Sequence, residues 1–151
     1  MKRFRFPLQS VATVRSWRER EAREQLAARM HELNAAEQAL RECQERLSTL
    51  EEVVRAARSG TFRPAEQSAS LAAYQNEKLA VKRAEAASSE AKCAVDRARE
   101  AWQVRRNELR AVEKLEQRAR HAHRLENESA EQTLLDEIAS IRGPRMSSVI
   151  P

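Results

Sequence analysis

The sequence predicts an all-α protein, a long antiparallel two-helix coiled-coil hairpin with a C-terminal helical overhang. Three observations predict it. The first is punctuation: the 151 residues hold 2 Gly and 4 Pro, against about ten Gly and seven Pro in an ordinary globular chain of this length. No Gly or Pro falls between Leu8 and Arg58 or between Ala65 and Arg142. The second is composition: aromatics are 4% and charged residues 34%, with Ala, Glu, Arg, Gln and Leu dominant, as in long helices that bury a narrow seam. The third is a repeat of seven.

Helix 1 is expected over about 8–58. Leu26, Leu33, Leu40, Leu47 and Val54 recur every seven residues, with Ala22, Arg29, Ala36, Cys43, Leu50 and Ala57 as companions. This is an a/d pattern held over several heptads. Residues 59–64, Ser-Gly-Thr-Phe-Arg-Pro, read as the turn, because Gly commonly ends a helix and Pro is tolerated in a first turn. Helix 2 is expected over about 65–141, with Tyr74, Val81, Ser88, Val95, Trp102 and Leu109 on one line. Their companions are Ala84, Ala91, Ala98, Arg105, Val112 and Ala119. A strict heptad implies a left-handed supercoil. Residues 1–142 are read as one hairpin domain and 143–151 as a disordered tail.

A short turn makes the helices antiparallel neighbours, so residue i faces roughly residue 123 − i. Leu8 is then expected near Leu115, and Trp17 within a turn of Trp102 and Arg105. Helix 2 outruns its partner by roughly 25 residues and spans on the order of 115 Å. Its overhang, from about 116 to 141, carries Leu125, Leu134, Leu135, Ile138 and Ile141. A lone helix must bury such a stripe elsewhere, which points to docking or self-association. Cys43 and Cys93 fall on the order of 20 Å apart along the axis, beyond disulfide reach. Both are expected as free thiols filling small seam positions.

Several function classes recede. The formal net charge is +5, but the 28 basic residues are interleaved with 23 acids. No basic block is combined with aromatics that could stack bases, so nucleic acid is not an expected partner. No apolar run reaches the length of a membrane span. Met1 to Pro7 is basic but no apolar stretch follows it, so a cleaved secretory signal is not expected and a cytoplasmic protein is. His121 and His123 are two apart and point to different helical faces, and His31 stands alone; no metal site and no cofactor are expected. Glycine-rich phosphate loops and nucleophile elbows are missing, and a thin hairpin offers carboxylates no water-excluded pocket. The expectation is a non-enzyme.

The scarce aromatics and the polar seam residues have two readings each. Trp102 is a packing residue of the seam, and Tyr74 a seam residue near the tip. Trp17 either packs on helix 2 or faces a partner; Phe4 and Phe6 form a staple or a clasp onto helix 2; Phe62 caps the tip or contacts a partner. Arg29, Ser88 and Arg105 interrupt the apolar stripe, either to fix register, with the long arginines snorkelling outward, or to loosen the seam.

The chain resembles the FliJ family over roughly residues 4–140. The opening Phe4-Arg5-Phe6-Pro7-Leu8-Gln9-Ser10-Val11 with Arg15 and the 19–28 stretch is similar to that family's start. So are Tyr74 after the turn, Trp102 with Arg105-Arg106 and Leu109, and Lys114-Leu115-Glu116-Gln117-Arg118. Leu125-Glu126-Asn127-Glu128 and Asp136-Glu137-Ile138-Ala139 resemble its close.

The resemblance implies a coiled-coil stalk of the bacterial flagellar type III export apparatus, hence roles in flagellum biogenesis, motility and chemotaxis. The stalk's open end would enter the hexameric export ATPase and couple it to the FlhA-type membrane export gate, and the protein would escort export chaperones. It would sit peripherally at the cytoplasmic face of the inner membrane. Carried over, Arg15, Trp17, Arg118 and Arg124 would meet the ATPase, and Leu47, Leu50, Tyr74 and Lys78 the gate. Leu47, Leu50 and Val54 stand where some members carry tyrosines before the turn. Rival readings are the equivalent stalk of an injectisome and a generic coiled-coil scaffold.

Overall fold

The computed structural model describes residues 3–60 and 63–142, the last by its backbone only. It contains two helices, α1 (Gln9–Arg58) and α2 (Pro64–Arg142), and no strand among the described residues. The all-α hairpin is therefore the fold. Phe62 and the segment after Arg142 lie outside the described residues. No described helix is long and apolar enough to cross a membrane.

Local chemistry accounts for the helix ends. Before α1, the Gln9 amide donates to the Phe6 carbonyl and the Ala12 amide to that of Leu8. At its far end Arg55 and Arg58 place positive charge in the last turn, where the helix dipole favours it. The Ser59 and Gly60 amides fold back onto the carbonyls of Ala56 and Ala57, and Ser59 Oγ donates to Ala56 as well. Pro64 opens α2, where a missing N–H is no loss. Glu66 stands in that first turn and accepts from the Arg63 guanidinium at 3.1 Å.

The chain packs as two compact units, Arg18–Arg106 and Met1–Trp17 with Asn107–Pro151. In the Arg18–Arg106 unit the less exposed residues of α2 step by three and four: Tyr74, Glu77, Val81, Ala84, Ser88, Ala91, Val95, Ala98, Trp102 and Arg105. Those of α1 are Glu19, Ala22, Leu26, Leu33, Ala36, Leu40, Cys43, Leu47, Leu50 and Val54. This is the heptad seam read from the sequence. Val81, Val95 and Ser88 are buried in it. Two expected members turn outward: Ala57 is exposed, and Arg29 snorkels to pair with Glu32 at 2.8 Å. Cys43 occupies its seam position, whereas Cys93 is exposed; it falls between Ala91 and Val95, on the far side of the helix. Both thiols are free.

Cross-helix polar contacts mark the register. Arg46 bridges to Glu77 at 3.4 Å and Lys92 to Glu37 at 3.7 Å. Tyr74 Oη donates to Glu51 at 3.2 Å. The 123 − i relation is met by Arg46 with Glu77 and approximately by the others.

In the other unit, Leu109 and Val112 of α2 are buried with Phe6. Arg15 donates to the Glu108 carbonyl at 2.9 Å, again on the 123 − i relation. Phe4 meets His123 edge-on at 5.4 Å between ring centroids, and the Arg120 guanidinium lies 5.5 Å over the Phe4 ring. The residues before α1 thus clasp α2. The clasp shortens the overhang: coverage was expected to end near 116 but reaches His123, because Phe4 and Phe6 continue the packing after the helix has ended.

Candidate functional site

The residues expected to make contacts fall into two sets, and each lies within one unit. Arg15, Trp17, Arg118 and Arg124 belong to the open end. Arg15 is half-buried because its guanidinium reaches Glu108. Trp17 is 73% exposed, which resolves its two readings in favour of a free indole face. Arg118 and Arg124 are exposed; Arg124 approaches His121 Nδ1 at 3.4 Å and Glu128 at 3.9 Å. Arg120 is held by Glu116 through two contacts, at 2.6 and 3.1 Å. At about 1.5 Å per residue, Arg15, which reaches Glu108, sits on the order of 15 Å along α2 from Arg118. The four residues form a band rather than a cluster.

Leu47, Leu50, Tyr74 and Lys78 lie nearer the turn. The first three are half-buried seam residues and Lys78 is exposed. The Lys78 ammonium sits 6.0 Å over the Tyr74 ring, within the range of a cation–π contact. Beside them runs a solvent-open groove of about 800 Å³ whose lining includes Glu42, Arg46, Leu50, Val53, Ala73 and Glu77. Arg46 also donates to Cys43 Sγ at 3.0 Å. Its guanidinium is held above its ordinary pKa, chiefly by Cys43, with Glu77 adding. Arginine is charged at every physiological pH, so this is a constant cation in the groove's lining.

Sequence reasoning missed one element of the seam. Glu19 is buried and accepts the Trp102 indole N–H at 2.9 Å. Glu19 lies three residues before Ala22 and seven before Leu26, on the a/d lines; that spacing was the available signal, overridden by its charge.

Among the described residues no group of three His, Cys, Asp or Glu side chains is placed to hold a metal ion. What the two sets present is surface: an exposed indole, guanidiniums, a half-buried tyrosine and a solvent-open groove. Aromatic and arginine side chains of this kind are typical anchors of protein interfaces.

Two long helices paired along a heptad seam define the class of coiled-coil proteins. The family model described as the flagellar FliJ protein matches residues 4–146, which take in the clasp, both helices and the turn. The chain belongs to the FliJ family. Neither the comparison with curated proteins nor that with solved structures gave a match.

Proposed function

We propose that this protein is a non-enzymatic stalk and adaptor of the flagellar type III export apparatus. It binds the hexameric export ATPase through the open end and the FlhA-type export gate through the groove near the turn. Chaperone escort follows the same adaptor logic. The protein works in the cytoplasm, at the inner membrane through its partners alone, and so contributes to motility and chemotaxis. The observation that carries the reading is the family match over 4–146. The exposed Trp17 and the neighbouring arginines supply a chemical means of attachment, since Trp and Arg are the side chains that most often dominate binding energy.

The test mixes the full-length protein with the cognate export ATPase and records ATP hydrolysis and ring formation. Stimulation is expected, and Trp17→Ala combined with Arg124→Glu is expected to weaken it by roughly tenfold or more in half-maximal concentration. No stimulation and no complex with the wild-type chain, with helicity verified by circular dichroism, overturns the reading.

A further inference from the structure

Toward the turn the seam runs out of large side chains before the helices end. Its last half-buried positions on α2 are Ser70 and Gln67, and Ala57 of α1 is already exposed. Leu71 stands beside this line rather than in it and is 48% exposed. Around it lie two cavities of about 380 and 360 Å³ that share Val54, Arg58 and Leu71 in their linings. They form one cleft, with Pro64 toward the turn and Tyr74 and Glu51 away from it. At about 100° per residue, Leu71, Glu51 and Arg58 fall on one flank of the seam. Val53, Arg46 and Ala73, which line the groove described above, fall on the other.

The two flanks differ in the charge they have to spare. In the groove Arg46 is tied to Glu77 and Cys43, and Glu42 and Glu45 have no cation paired to them among the described residues. In the cleft the carboxylate is the one engaged: Glu51 accepts from the Tyr74 hydroxyl. Its cations are Arg55 and Arg58, both exposed. Among the described residues neither makes an ion pair or a hydrogen bond. Their place in the last turn of α1 suits the helix dipole, but that needs only their charge and leaves both guanidinium forks open. An apolar side chain seated beside Leu71 and Val54 would bring a carboxylate on the next turn of its own helix within reach of those forks. A basic segment is disfavoured by sign.

We propose that this cleft is a second docking site near the turn, and that its occupant is an acidic amphipathic helix of a partner protein. A side chain of about the size of Leu enters between Leu71 and Val54, and carboxylates pair with Arg55 and Arg58. The site is separate from the groove proposed for the export gate and does not depend on that reading. Because the flanks are opposite in sign, the two sites select different partners, and one hairpin can hold both at once.

The experiment titrates a synthetic helical peptide, with Leu along one face and Glu beside it, into the full-length chain. The same peptide with Lys in place of every Glu is the comparison. The variants are Arg55→Gln with Arg58→Gln, and Leu71→Ser; Lys82→Gln with Arg83→Gln removes two exposed charges away from the cleft. Circular dichroism verifies that the helices persist in each. The Glu peptide is expected to bind the wild type about tenfold or more tightly than the Lys peptide, and less tightly as salt rises. The Arg55 and Arg58 variant should erase that preference, Leu71→Ser should weaken the Glu peptide by about tenfold, and the Lys82 and Arg83 variant should match the wild type. No binding, no preference for Glu, or a preference that survives in the Arg55 and Arg58 variant overturns the proposal. So does a dimer of the wild-type chain, seen by sedimentation, that only the cleft variants abolish, since a second copy would then be the occupant. None of these outcomes touches the ATPase assay on which the proposed function stands.

Discussion

Glu19 is the residue at which the seam departs most from an apolar coiled coil. A buried carboxylate is costly unless its hydrogen bonds are made, and here the Trp102 indole supplies one at 2.9 Å. Trp102 in turn can be half-buried because its N–H has an acceptor. The two residues are therefore a unit. Trp102→Phe leaves the Glu19 carboxylate without that donor and should cost about 1–3 kcal/mol. Glu19→Leu removes the acceptor and should also destabilise. The double variant should lose less than the sum of the two, a coupling measurable by urea denaturation of all four chains. Equal, additive losses would show that the hydrogen bond carries no stability. Ser88, also buried in the seam, shows the same tolerance for a polar group in a small volume. Trp102 was legible as a seam residue from its heptad line; its partner was not, because a glutamate on an a/d line among many solvated glutamates carries no mark of its own. The Phe4 clasp was legible only as one of two alternatives. A short aromatic segment before a helix has no periodicity, and only the His123 and Arg120 contacts decide where it lies.

At the scale of the element, the helices and their pairing followed from repetition. The lines through Leu26 and Val81 could be extended because each further residue at the seventh position agreed, and a long coiled coil averages over single exceptions such as Arg29. What repetition cannot say is where a long side chain goes, and Arg29 went outward to Glu32. It is equally silent on Cys93, which only its position between two seam residues assigns to the outer face. Gly60 is instructive for the turn. Glycine after a helix suggests a left-handed cap, yet no described residue has that backbone conformation. Among the described residues, a Cβ added at Gly60 meets nothing closer than the Ala57 carbonyl oxygen, at 3.9 Å. Gly60→Ala is therefore expected to be accommodated and to stabilise the chain by about 0.4–1 kcal/mol through a less mobile unfolded state. A fall in melting temperature would show that the turn requires the freedom of glycine after all.

At the scale of the whole molecule, charge is abundant but mostly wet. Arg99 with Asp96 and Arg124 with Glu128 are exposed pairs within α2, and Arg63, just before it, pairs with Glu66 of its first turn. The cross-helix pairs Arg46–Glu77 and Lys92–Glu37 are only partly screened from water. Such pairs contribute about 0–1 kcal/mol each and weaken with salt. The seam, by contrast, is insensitive to screening. The urea midpoint of the isolated protein is accordingly expected to change little between low salt and 1 M NaCl, while association through the open end responds strongly. A stability that collapsed in salt would place the energy in the ion pairs and not in the seam. The overhang was visible in the sequence as apolar residues beyond the reach of helix 1.

The two tryptophans give the molecule an optical property that follows from their unequal surroundings. Trp17 is 73% exposed, whereas Trp102 is half-covered and hydrogen-bonded to a carboxylate. Their fluorescence reports on different events: Trp17 emits from water and shifts to the blue when a partner covers it, while Trp102 follows the integrity of the seam. Comparing the wild type with Trp17→Phe separates the two signals. Capture of the open end and loosening of the coiled coil can then be followed by emission colour in a single cuvette, without any attached dye.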